Sequence, residues 1–113
     1  MDVQQLQLLL CERVGCTPDY VAGQAMVGAS ASLFGPVWPI KGIRHLPVGG
    51  TSGWYVWVGE YSDASDFFKP QHAQHILDSR PQVAGYLGLP PGWGFIIAPD
   101  YEDVWYDEEL LVR

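Results

Sequence analysis

Three histidines, two cysteines, thirteen carboxylates and several serines are the groups in this 113-residue chain that could do chemistry. His72 and His75 stand three apart in a helix-like stretch and would share a side of that helix. With Glu60 or Asp63 as a third ligand they could hold a metal, but the spacing is not that of a zinc hydrolase and no second ligand cluster exists. Ser30, Ser32 and Ser52 lie outside any nucleophile-elbow context. Glu60, Asp63 and Asp66 could pair for acid–base work, yet they sit in a polar stretch where nothing raises a carboxyl pKa. The glycine-rich segment Val48-Gly49-Gly50-Thr51-Ser52-Gly53 lacks the lysine of a phosphate loop. Cys11 and Cys16 match no zinc spacing and read as two reduced thiols. The expectation is a chain with no catalytic set, no cofactor and no metal.

Binding is the better-supported chemistry. The net charge is −7, and the six Lys and Arg are scattered, which argues against nucleic acid and against an anionic membrane surface. A basic protein partner would suit the charge. Ten of the thirteen carboxylates fall between Glu60 and Glu109, nine of them in two groups, Glu60–Asp66 and Asp100–Glu109. Each group follows an apolar or aromatic run. Five Trp, six Tyr and four Phe provide the large side chains that anchor interfaces. Glu60, Asp63, Asp66, Asp100, Glu102, Asp103 and Trp105 are therefore the candidate partner-binding residues.

The elements that must position these residues follow from periodicity. The chain is short enough for one domain over residues 1–113, with a sheet-forming core from about 25 to 107. Residues 2–14 read as a helix capped by Asp2 and stopped by Gly15, with Leu6, Leu9, Leu10 and Arg13 on one face. Segments 25–29 and 40–46 read as strands, and the β-branched and aromatic run Trp54–Val58 is the clearest strand of all. Its unbroken apolarity implies that both faces are covered, or that one aromatic face awaits a partner. Residues 61–70 read as a polar loop, with Pro70 opening a short helix over about 71–79 that Pro81 ends. Residues 93–98 form a strand, 99–103 a turn, 104–106 the return strand, and 107–113 an acidic tail. The fold class is α+β: a mostly antiparallel sheet of four to six strands, with two helices on one side. No basic segment precedes Leu8-Leu9-Leu10 and no apolar run is long enough to span a bilayer, so the sequence reads as cytoplasmic.

Several residues carry a family resemblance. Ser52-Gly53-Trp54 enters the aromatic strand, which ends in Gly59-Glu60 and an acidic loop over Asp63–Asp66. A short helix, the turn Leu89-Pro90-Pro91-Gly92 and the run Phe95 through Asp103 follow in order. In these elements the chain resembles bacterial immunity proteins of the Imm33 type, from polymorphic toxin systems. The resemblance implies a cytoplasmic protein that neutralises a cognate toxin by stoichiometric binding. Three other readings fit the residues: a small-ligand module with Trp54, Trp57 and Trp93 around a pocket, a homodimer formed through the Trp54–Val58 strand, or a metal-dependent enzyme on His72, His75 and Glu60.

Overall fold

The chain opens with the capped helix that the sequence predicts. In the computed structural model, which describes residues 2–112, helix α1 spans Val3–Val14. Asp2 Oδ1 accepts the Gln5 N–H at 2.8 Å, and Gln5 Oε1 accepts the Asp2 N–H at 3.2 Å. This reciprocal box satisfies donors that the first turn leaves free. Gly15, at φ 87°, ends the helix.

The buried stripe of α1 is not the expected one. Gln7, Leu10 and Cys11 are buried with Val3 and Val14 beside them, while Leu6, Leu8, Leu9 and Arg13 are exposed. A polar anchor sets this rotation. The Gln7 carboxamide accepts the Val21 N–H at 3.1 Å and donates to the Val21 carbonyl at 3.4 Å. Satisfied on both sides, it can be buried without penalty.

Six strands follow: β1 Met26–Ala29, β2 Ile40–Arg44, β3 Thr51–Val58, β4 Lys69–His72, β5 Trp93–Ala98 and β6 Tyr101–Tyr106. They lie in the order β4-β1-β3-β2-β5-β6. Only β1 and β3 run parallel; every other neighbouring pair is antiparallel. Helix α2, Ala73–Ser79, follows β4, and Pro81 opens a 3₁₀ turn behind it. The α+β class, the N-terminal helix and the second short helix are as expected.

Two segments differ from expectation. Residues 69–72 form an edge strand instead of the start of α2. Ala73 N–H donates to Ala25 O at 2.8 Å, and the alternation from there turns the Pro70 nitrogen away from β1, so its missing N–H costs no ladder bond. The return strand also begins earlier, at Tyr101, because Ala98 pairs with Tyr101 and only Pro99 and Asp100 make the turn. Glu102 and Asp103 are thus strand residues, and their side chains point to opposite faces. The acidic tail does not simply trail away. Glu108–Leu111 forms a 3₁₀ turn, and the Leu110 carbonyl lies 3.0 Å from His45 Nδ1. Arg113, the tail's last residue, is outside the described residues.

One face of the sheet carries the core. Val27, Ala29, Ile40, Trp54, Val56, Val58, Phe95 and Ile97 pack with Leu10 and Cys11 of α1 and Ala73, Ile76 and Leu77 of α2. Two arginines are buried at its margins. Arg44 donates from Nε to Ser52 O at 2.9 Å, and from Nη1 to Asp19 O at 2.9 Å and Leu89 O at 2.8 Å; the Asp19 carboxylate lies 3.6 Å from Nη2. Arg80 donates to the carbonyls of Leu33, Gly35 and Val37, with its guanidinium 4.8 Å from the Trp38 ring centroid. Carbonyl oxygens solvate both cations where water is excluded.

Candidate functional site

Strand alternation sorts the aromatic residues. Trp54, Val56 and Val58 of β3 face the helices, so Tyr55 and Trp57 face the other way. Register extends this second face across the sheet. Gly28, Tyr55, Ile43, Gly94 and Trp105 form one cross-strand row, and Trp57, Lys41, Ile96 and Asp103 form the next. None of these residues belongs to the core cluster beneath the helices. The face is apolar, aromatic and free of α-helix.

Glycines shape its floor. A Cβ on Gly28 would stand 2.8 Å from Tyr55 Cδ1, and one on Gly94 would stand 2.6 Å from Trp105 Cζ2. Both rings therefore lie down over a glycine. From the β3–β4 loop, Tyr61, Phe67 and Phe68 fold onto the same face. Phe68 meets Tyr55 at 5.1 Å and Trp57 at 5.8 Å between ring centroids, and Tyr61 meets Trp57 at 5.6 Å. These edge-to-face contacts fix the rings relative to one another. Trp57 Nε1 is buried among them and has no hydrogen-bond partner in the structure of the described residues. A shallow pocket of about 380 Å³ opens between Ile43, His45, Tyr55, Tyr61, Phe68 and Val112.

Acid borders this face. β3 and β5 both run antiparallel to β2, so the loop after β3 and the turn after β5 emerge at the same end of the sheet. That brings Glu60, Asp63 and Asp66 to the same end as Asp100, two strand spacings or roughly 10 Å across. Asp103 and Trp105 look out from β6 on the open face. All four acids of this end, and Asp103, are exposed. Lys41 is the one base in the middle rows, and its Nζ donates to Gly59 O at 3.0 Å.

Glu102 has a different place. It faces the helices, where its carboxylate takes both Arg13 Nη1 and Nη2, at 2.8 and 2.7 Å, and the Tyr86 hydroxyl. The Arg13 bonds first, then the Tyr86 bond, hold the Glu102 carboxyl below its ordinary range. Burial, reinforced by Glu102, pushes the Tyr86 phenol up to about 12. The carboxylate is occupied within the molecule. Asp107, Glu108 and Glu109 emerge at the opposite end of β6 from Asp100.

The other candidate groups do not converge. His72 ends β4, and the His75 ring stacks on Phe34 at 4.8 Å, so the two are not neighbours on a helix face. Among the described residues no three His, Cys, Asp or Glu are grouped to hold a metal ion. Trp54 is in the core with Nε1 donating to Leu87 O at 2.8 Å, Trp93 packs against Tyr106 on the helix side, and Trp57 is on the open face. Alternation thus divides the three tryptophans that the small-ligand reading placed around one pocket. β3 is hydrogen-bonded along both edges, so only its open face remains available to a second copy. No helix among the described residues is long and apolar enough to cross a membrane.

The open-face residues Tyr55, Tyr61, Phe67 and Phe68 were not singled out from sequence. Their signal is the pair Phe67-Phe68 inside an otherwise polar, acidic loop, and the odd-numbered parity of β3. The Ser52-Gly53-Trp54 motif proves to be structural. Ser52 Oγ donates to Met26 O at 2.6 Å, Trp54 is buried, and Gly53 at φ 89° lies against the His45 carbonyl. Gly59, at φ 84°, turns the chain from β3 into the acidic loop.

No curated protein and no solved structure matches the chain significantly. A family model does, over residues 6–107, nearly the whole chain and every strand described above. The chain belongs to the Imm33-like domain family.

Proposed function

We propose that this protein is an immunity protein that binds a cognate bacterial toxin in the cytoplasm and neutralises it stoichiometrically. The observation that carries the reading is the open face: a sheet surface of locked aromatic rings, uncovered by helix among the described residues, with acid along one end that has no ion-pair partner among them. Rings held by their neighbours lose little entropy on binding and make good anchors. Exposed carboxylates at the border steer a basic partner and set its orientation more than they add affinity. Glu60, Asp63, Asp66, Asp100 and Asp103 serve as that border, Trp105 with Tyr55, Tyr61 and Phe68 as the anchors. Glu102, of the same group in the sequence, instead braces β6 against α1 from behind.

The test is association kinetics with the toxin that the protein protects against. Asp63→Lys combined with Asp66→Lys lowers the association rate at low salt and flattens its dependence on ionic strength, with the dissociation rate little changed. Association rates identical to those of the unaltered protein from low to high salt would rule this border out as the docking edge.

A further inference from the structure

The pocket on the open face has a chemistry of its own. Its walls are aromatic rings set at different tilts: Tyr55 and Phe68 at 70°, Tyr61 and Phe68 at 51°, His45 and Tyr55 at 77°. Rings at such angles turn more than one π-face toward a common space, and each face is electrostatically negative. At about 380 Å³ the space is within the range of sites that hold a small group, ~300–1,000 Å³. Tyr61 is 59 % exposed, so the pocket opens directly to solvent. The Tyr55 and Tyr61 hydroxyls accept no hydrogen bond within the described residues, and the carboxylates of Glu60, Asp63 and Asp66, on the loop that supplies Tyr61 and Phe68, have no ion-pair partner there. Negative π-faces and free hydroxyl oxygens favour a cation, and the carboxylates of the neighbouring loop add to the negative potential around it. The apolar walls, Ile43 and Val112, suit an alkyl stem.

We propose that this pocket receives an arginine side chain from the partner protein. Guanidinium is flat, weakly hydrated and stacks on aromatic faces, while its edge retains donors for the Tyr55 and Tyr61 hydroxyl oxygens. An ammonium is more strongly hydrated and loses more on entering an apolar pocket. The proposal rests on the reading of the open face as the docking surface, and it names the group that anchors there.

The experiment is an NMR titration of the full chain with N-acetyl-arginine methylamide, with the citrulline and lysine counterparts in parallel. The expected result is saturable shifts of the Tyr55, Tyr61 and Phe68 ring resonances with arginine, weaker binding of lysine, and none of citrulline, which is nearly isosteric but neutral. Tyr61→Ala, at an exposed position, weakens arginine binding about tenfold, and Phe68→Leu does so independently. Equal binding of citrulline, or of lysine, overturns the assignment, as do shifts confined to the acidic loop without the rings. Toxin binding separates the two ideas. If Asp63→Lys/Asp66→Lys impairs it and Tyr61→Ala and Phe68→Leu do not, the arginine pocket is overturned and the docking face stands. If the arginine probe binds selectively but no open-face variant alters toxin affinity, the docking face is overturned.

Discussion

Gly53 and Gly59 have nearly the same backbone conformation, φ 89° and 84°, but opposite surroundings, and replacing each by alanine separates strain from crowding. In both, a Cβ meets the left-handed penalty of about 1–2 kcal/mol. At Gly59 nothing lies within 4 Å of the added Cβ, so that penalty is the whole cost. At Gly53 the Cβ would stand 2.0 Å from the His45 carbonyl oxygen and 3.0 Å from its carbon. No rotamer relieves a backbone contact. Strand β3 must move away from the segment after β2 by about 1 Å to restore ordinary separation. That motion strains the His45 N–H to Gly53 O bond of 2.9 Å and the contacts of Ser52 with Arg44 and Met26. One or two weakened buried hydrogen bonds bring the total to about 3–5 kcal/mol. The difference between the two variants is then at least about 2 kcal/mol. With an m-value of roughly 1–3 kcal/mol/M in urea, Gly53→Ala unfolds about 1 M earlier than Gly59→Ala. Equilibrium urea denaturation followed by tryptophan fluorescence reads this directly. Equal midpoints for the two variants would show that the close approach at His45 is readily relaxed, and that the Ser-Gly-Trp motif needs glycine only for its dihedral angle.

Three further outcomes follow from buried and paired groups. Arg44→Lys costs about 3–5 kcal/mol of stability in chemical denaturation, because one ammonium cannot serve the carbonyls of Ser52, Asp19 and Leu89 at once; a loss below 1 kcal/mol would mean that water replaces the guanidinium. The Glu102 carboxyl is held below its ordinary range, so its stabilising contribution is present above the unfolded pKa and is lost as pH falls through the lower folded one. Urea midpoints of Glu102→Gln therefore fall less steeply than wild type below about pH 4.5, by an amount that solvent keeps under about 1 kcal/mol; parallel acid limbs would count against the pairing. Burial raises the Cys11 thiol to about 12, whereas Cys16 is only half-buried. Iodoacetamide at pH 8 followed by mass spectrometry labels Cys16 first, and Cys11 only at the rate of unfolding; simultaneous labelling would contradict that burial.

Much of the scaffold was legible because its signals are local. Asp2 and Gly15 bound α1 through capping chemistry that acts within four residues, and Pro81 stops α2 for the same kind of reason. Trp54–Val58 reads as a strand because every side chain there fits a pleated surface. What failed to show was long-range. The inward face of α1 is chosen by Gln7 bonding to Val21, fourteen residues on, and no leucine periodicity encodes that. The edge strand β4 exists only because β1 is there to pair with it. Glu102 and Asp103 looked equivalent in an acidic turn, and the two-residue turn at Pro99-Asp100 put them on opposite faces. Arg13 then claimed Glu102 from eighty-nine residues away.

The same facts alter what the clustered acid means. Counting bases against acids in the second half treats Arg80 as a partial offset, but Arg80 is buried and committed to three carbonyls. Arg44 is likewise enclosed, and Arg13 is held by Glu102 behind the sheet. These cations still enter the net charge of −7, yet none stands beside the carboxylates of the open face. Within a Debye length of about 8 Å at physiological salt, local arrangement and not net charge governs what a partner meets. There it meets Glu60, Asp63 and Asp66 at one corner, Asp100 and Asp103 toward the other, and Lys41 between them, tied to Gly59. A uniformly acidic surface would repel anions and little more. An acidic border beside rings whose positions are fixed by Gly28, Gly94 and one another selects for a partner with both charge and shape, and mutating the rings and the carboxylates separately will show which of the two discriminates.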